Sequence, residues 1–119
     1  MARGEILKRA ENSMRGIVVL TTTEREEDAE RIAMVLLEKK LAACVQILGP
    51  IKSRYWWEGK IESATEFLCF IKTCKKRYEE VEREIKANHP YTVPEIISIM
   101  VDEGSNDYMM WMQKIVMGK

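Results

Sequence analysis

Apolar and β-branched runs alternate along the chain with segments whose apolar positions recur every three or four residues. Residues 16–22 are almost entirely apolar or β-branched, which predicts a strand buried in a sheet. Thr23 and Glu26 have the spacing of a capping box, and an apolar stripe after them predicts a helix that ends near Lys40. The first third of the chain is therefore predicted to be a strand followed by a helix.

The next third changes to the two-residue period of strands. Residues 44–57 predict a strand with a bulge or bend at Gly49-Pro50, since proline cannot donate to a ladder. Glu58-Gly59 predicts a two-residue turn, and residues 60–73 predict a partner strand that returns from it. Together these segments predict one long hairpin.

The last third predicts a helix, a strand and a helix. Residues 75–88 have a helical period, the two prolines of residues 89–94 exclude a helix there, and residues 95–101 predict a fourth strand. A final helix begins at Ser105 or Asn106. Its predicted apolar face consists of Tyr108, Trp111, Met112 and Ile115.

The predicted order is βαββαβ with a C-terminal helix. It indicates an α+β, ferredoxin-like domain with an antiparallel four-stranded sheet and helices on one face. This domain is expected to cover residues 16–119. Residues 1–15 are expected to form an N-terminal extension, to which we assign no function.

The predicted hairpin is longer than the helices that can cover it. Each arm has about 14 residues and would span roughly 46 Å, whereas a helix of about 17 residues spans only ~25 Å. The uncovered end carries Tyr55, Trp56 and Trp57, and apolar surface on an exposed edge favours a homo-oligomer. The alternative is that the bend at Gly49-Pro50 folds the tip back onto its own domain.

Composition and charge exclude several classes of protein. The 119 residues fit one domain, and 19 basic residues balance 19 acidic ones, whereas nucleic-acid binding usually needs a basic surplus. No apolar run approaches the roughly 18 residues that would cross a membrane. Three cysteines without a CxxC spacing favour the reducing cytoplasm.

His89 is the only histidine and lies in the predicted loop before the fourth strand. Imidazole is a common metal ligand and a general base. The alternative is a helix C-cap that meets free carbonyls at the end of the preceding helix.

The three cysteines are not expected to form a metal site. Ideal hairpin register places Cys69 opposite Leu48 and Cys44 opposite Thr73, so the thiols of Cys44, Cys69 and Cys74 do not converge. Buried structural thiols are the expected state. No nucleophile–base set has supporting context, which predicts that the protein is not an enzyme.

Four ordered motifs resemble those of the CutA family of divalent-cation tolerance proteins. They are Leu41 to Val45, Tyr55 to Lys60, His89-Pro90-Tyr91 with Val93-Pro94-Glu95, and Asp107-Tyr108 with Trp111. The resemblance covers residues 16 to about 116. It implies a cytoplasmic homotrimer of ferredoxin-like protomers linked to tolerance of divalent metals such as copper. Tyr55, Trp56, Trp57 and Trp111 are the candidate trimer-interface residues.

The resemblance also implies copper ligands, which this chain matches in part. Family members bind copper through a cysteine at the end of the first strand and histidines before the Pro-Tyr pair. Thr21 and Asn88 stand at two of these positions, and only His89 matches. A hydroxyl and an amide are poor ligands for copper, so we expect weak copper binding at His89 and no metal required for folding.

A second hypothesis is a trimeric regulator similar to the PII proteins, which bind small effectors between subunits. Lys72, Tyr91 and Glu95 would then line a cleft near His89 that holds a small anion. Catalysis by His89 and Glu95 is a third hypothesis, and it has neither a nucleophile nor a metal to support it.

Overall fold

The structure is a computed structural model, and it describes residues 12–118. The strands are β1 (Gly16–Thr23), β2 (Cys44–Trp57), β3 (Lys60–Cys74) and β4 (Ile97–Met100). The helices are α1 (Glu26–Glu38), α2 (Tyr78–Asn88), which follows a 3-10 turn at Lys75–Arg77, and α3 (Asn106–Met117). The predicted order of elements is confirmed. Of the predicted N-terminal extension, residues 1–11 lie outside the described part.

The four strands form one antiparallel sheet in the order β2-β3-β1-β4. Helices α1 and α2 cover one face, and the core between helices and sheet is built from buried aliphatic side chains such as Val19, Leu36, Ile71 and Ile85. Helix α3 packs through a second cluster around Cys74, Met112 and Val116. The predicted α+β arrangement with one helix-covered face is confirmed.

A β-bulge in β2 sets the register of the hairpin. Pairing passes from Leu48↔Leu68 to Ile51↔Glu66, so β2 uses one more residue than β3 at the Gly49-Pro50 site. The predicted cysteine partners are therefore wrong by one residue. Cys69 lies opposite Ile47 and Cys44 lies opposite Lys72.

Half of the hairpin extends beyond the rest of the sheet. Strand β1 pairs only with residues 67–74 of β3, so residues 51–57 and 60–66, which we call the hairpin arm, pair only with each other. Trp56 near its tip is 72% exposed, which excludes for the single chain the alternative that the tip folds back. At the turn, Glu58 (φ 49°) and Gly59 (φ 77°) both adopt positive φ, as a hairpin turn of this length requires.

The start of α1 differs from the prediction. Thr23 is the last residue of β1, and its hydroxyl donates to the carbonyl of Arg25 at 2.8 Å. Arg25 is the N-cap residue, without a side-chain cap. The predicted capping box is therefore wrong, because the Thr23 side chain is buried with the strand.

The C-terminal elements are shorter or turned relative to the prediction. Strand β4 covers four residues, because the Pro94 region delays its start. Ser105 is the N-cap of α3 and accepts from the Tyr108 amide. Met112 and Val116 are buried, whereas Tyr108 and Trp111 stay 40% and 46% exposed, so the predicted apolar face is only partly correct.

Within residues 12–118, no helix has the length and apolarity to span a membrane.

Two buried threonines on one face of β1 offer a matched test of polar burial. Thr21 and Thr23 are both fully buried, and they lie opposite Cys69 and Phe67. The Thr21 hydroxyl has no hydrogen-bond partner among residues 12–118, whereas that of Thr23 donates to Arg25.

We expect Thr21→Val to raise the free energy of unfolding by about 1 kcal/mol, because it removes an unsatisfied buried hydroxyl at nearly constant shape. Thr23→Val should lower it by about 1 kcal/mol, because the Arg25 carbonyl loses its donor. Urea unfolding at equal protein concentration measures both. Equal losses in the two variants would contradict the prediction.

Candidate functional site

The segment between α2 and β4 meets the sheet where β4 does not reach. The last β1–β4 pair is Leu20↔Ile97, so β4 supplies no donor to the carbonyl of Thr22. The imidazole of His89 takes this place, and its Nε2 lies 2.7 Å from that carbonyl oxygen. His89 therefore continues the hydrogen bonding of the sheet edge with a side chain.

The second ring nitrogen of His89 is also engaged. The backbone N–H of Tyr91 donates to Nδ1 at 3.1 Å, and the two rings lie 4.7 Å apart. Since Nδ1 accepts, Nε2 carries the proton and donates to Thr22. The two contacts together define the neutral Nε2–H tautomer.

His89 is the C-cap residue of α2, as the alternative predicted, but its ring does not bind the carbonyls of the helix. His89 follows the last residue of α2, but its side chain bonds to the sheet edge. The carbonyls at the end of α2 are met by others. The Asn88 amide donates to the Glu84 carbonyl at 2.8 Å, and the Arg31 guanidinium donates to the Asn88 carbonyl at 2.7 Å.

Tyr91 and Glu95 lie near a second carboxylate, that of Glu66, which the sequence analysis missed. The Tyr91 hydroxyl donates to Oε2 of Glu66 at 2.8 Å, and Glu66 is only 6% exposed. Burial, followed by the Glu66 contact, raises the pKa of Tyr91, so its hydroxyl keeps the proton that it donates. Burial, followed by the charge of Glu66, also raises the pKa of Glu95. Glu66 could have been suspected as an acidic residue in a long strand.

Lys72 does not join Tyr91 and Glu95 within one protomer. It lies six residues after Glu66 on β3, which is roughly 20 Å along an extended strand. Its ammonium instead lies 5.6 Å from the centre of the Tyr108 ring. The proposed anion cleft is therefore not assembled by a single chain.

The residues implied as copper ligands do not form a ready set. Thr21 is fully buried, the Asn88 amide is hydrogen-bonded, and both nitrogens of His89 are engaged. No group of three or more His, Cys, Asp or Glu side chains within residues 12–118 could hold a metal ion. Burial raises the pKa of the Cys69 thiol to about 11, which disfavours a thiolate ligand.

The sheet face opposite α1 and α2, here called the open face, is apolar and accessible. Strand register places side chains of all four strands on it. Leu48, Ile97 and Ile99 are each about half exposed. Tyr55 and Trp57 of the hairpin arm and Trp111 of α3 are also 44–48% exposed. These predicted interface residues are therefore accessible in the single chain.

Comparison with known proteins agrees with this architecture. The family model described as CutA1 divalent ion tolerance protein matches residues 17–115. The divalent-cation tolerance protein CutA of Archaeoglobus fulgidus is 50% identical over 103 residues, which cover 87% of this chain and 99% of that protein. The Thermus thermophilus protein of the same name is 40% identical over 97 residues, 82% of this chain and 94% of that protein.

A solved structure is similar over the same region. It is described as the periplasmic divalent cation tolerance protein CutA from Archaeoglobus fulgidus, and it matches with a TM-score of 0.83 at 48% identity, covering 85% of this chain and 98% of that one. The match extends over strands and helices alike, so sequence and fold lead to the same assignment. The chain belongs to the CutA1 divalent ion tolerance protein family.

Proposed function

We propose that this chain is a divalent-cation tolerance protein that works as a homotrimer of ferredoxin-like protomers and binds metal ions such as copper weakly. Its role in this proposal is binding in response to metal ions, without catalysis. The observation that carries the assembly is the open face together with the hairpin arm. The observation that carries weak binding is the hydrogen-bonded state of His89.

Assembly is supported by apolar surface that one chain leaves uncovered. Ile97, Ile99 and Met100 of β4 are 50%, 52% and 44% exposed, and Trp56 on the hairpin arm is 72% exposed. An accessible strand edge with apolar side chains promotes uncontrolled association. A specific oligomer removes this liability by burying the same surface.

The two edges of the sheet support a ring-shaped assembly. The sheet ends in β2 on one side and in β4 on the other, and the two strands differ in length and sequence. Contact between unlike edges of neighbouring copies is head-to-tail, and such contacts form closed rings when the rotation permits. A ring of three is the state that the family resemblance implies.

Weak metal binding is supported by the small number of free ligands. His89 is the only imidazole of the chain, and a metal ion must displace one of its hydrogen bonds. One imidazole without a thiolate or second imidazole is a poor copper site. The free thiols of Cys44, Cys69 and Cys74 support the proposed cytoplasmic location, although one solved relative is described as periplasmic.

A regulator of small anions is the less supported function. Glu66 bonds to Tyr91 and acts on Glu95 through its charge, and two carboxylates in one place oppose the binding of an anion. Lys72 lies six residues after Glu66 on β3, roughly 20 Å along an extended strand. An anion cleft would need Lys72 from a neighbouring copy.

Light scattering tests the assembly. We expect a mass of about 42 kDa, three times the 13.9 kDa of the chain. Ile99→Glu should give a monomer, because assembly would bury the new carboxylate on the open face without an opposite charge. Met34→Glu is the matched control, since Met34 on α1 is 51% exposed and Ile99 is 52% exposed. A monomeric wild-type protein, or equal behaviour of both variants, would contradict the proposal.

Titration calorimetry with Cu²⁺ tests the metal site. We expect a dissociation constant weaker than about 1 µM, and we expect His89→Ala to weaken it at least about tenfold because the only imidazole is lost. Cys44→Ser is the control for binding at the most accessible thiol and should leave the affinity unchanged. Affinity that is the same in wild type and His89→Ala would place the metal elsewhere.

A further inference from the structure

One histidine side chain anchors the segment between α2 and β4 on the sheet. His89 Nε2 bonds to the edge of β1 at Thr22, and Nδ1 accepts from the backbone of Tyr91. Tyr91 in turn bonds through its hydroxyl to Glu66 on β3. Three consecutive hydrogen bonds therefore link Thr22, His89, Tyr91 and Glu66.

Each hydrogen bond in this series depends on its neighbour. The backbone N–H of Tyr91 donates to His89, and this bond fixes the backbone from which the Tyr91 side chain extends. The hydroxyl contact to Glu66 at 2.8 Å fixes its end. Pro90, between His89 and Tyr91, has a restricted backbone, so little freedom remains between the two anchors.

We propose that His89 is a latch that holds Tyr91 against Glu66, and that a metal ion can bind this imidazole only by opening the latch. The second part rests on the metal binding proposed above. The first part concerns only residues of this chain. His89 acts on Glu66 through Tyr91 and is a positioning residue in this respect.

Both nitrogens lead to the same consequence for a metal ion. Coordination by Nδ1 uses the lone pair that accepts the Tyr91 N–H. Coordination by Nε2 requires its proton to leave the bond to Thr22 and Nδ1 to carry the proton instead, so that Nδ1–H faces the Tyr91 N–H, donor against donor. In either case the Tyr91 amide loses its acceptor.

Metal binding and latch closure are therefore linked. A ligand that binds only the open state is weakened by the free energy that keeps the latch closed. Removing the Tyr91 hydroxyl lowers this free energy and leaves the imidazole itself unchanged. Tyr91→Phe should therefore bind metal more tightly than the wild type, the opposite of what loss of a ligand would do.

Spectroscopy and a double-mutant cycle test the latch in the metal-free protein. Nitrogen NMR of labelled imidazole should show a protonated Nε2 and an unprotonated Nδ1. Tyr91→Phe should lower the urea midpoint in wild type, and this loss should fall by at least about half in the His89→Ala background, because the contact is already loosened there. Tyr78→Phe is the control, since its hydroxyl bonds to Glu82 at 2.9 Å on α2 and its loss should be the same in both backgrounds. A proton on Nδ1, or an undiminished Tyr91→Phe loss, would overturn the latch.

Calorimetry with Cu²⁺ tests the link to metal. Tyr91→Phe should tighten binding at least about tenfold, the expected effect of one hydrogen bond to a charged group, and Tyr78→Phe should not change it. Unchanged affinity in Tyr91→Phe together with lost binding in His89→Ala would overturn the link and leave the metal site standing. Equal affinity of wild type and His89→Ala would overturn the metal site and with it the link, and the cycle above would still decide the latch.

Discussion

The antiparallel pairing of β2 with β3 is the constraint on which the rest of the structure depends. Only residues 67–74 of β3 have β1 as a second neighbour, so the hairpin arm is held by its partner strand alone. Helices α1 and α2 cover one face of the four-stranded part of the sheet. They leave the open face and the hairpin arm accessible. The extent of the accessible apolar surface therefore follows from the length of two strands.

The order of elements and the excess length of the hairpin could be predicted from the sequence, because both depend on local periods. The register could not be predicted. One additional residue at Gly49-Pro50 moves the opposite partners of Cys44 and Cys69 by one position, and alternation alone does not say how many residues a bulge absorbs. Such a slip changes which side chains meet while every strand keeps its predicted place.

The contacts of His89 could not be predicted for a related reason. Its position in a loop after a helix indicated a capping residue or a metal ligand, and both interpretations rest only on the sequence near residue 89. The ring instead binds Thr22, 67 residues earlier, because β4 begins too late to meet that carbonyl. The role was decided by a strand that is shorter than its apolar pattern suggested, 97–100 instead of 95–101. Glu66 was missed because its acidic side chain looked like one of many surface charges, whereas the structure buries it.

The latch and the assembly surface meet at one residue. Glu66 is paired with Ile51 in the first register pair after the bulge, so it lies at the base of the hairpin arm, where β1 no longer supports β3. Closing the latch places the Tyr91 hydroxyl on this base and adds a contact where the backbone ladder has lost one neighbour. A ligand that took His89 away would remove that contact first. If a metal ion binds His89 as proposed, its effect on the arm needs no long pathway, because the residue that receives Tyr91 is the residue at which the arm begins.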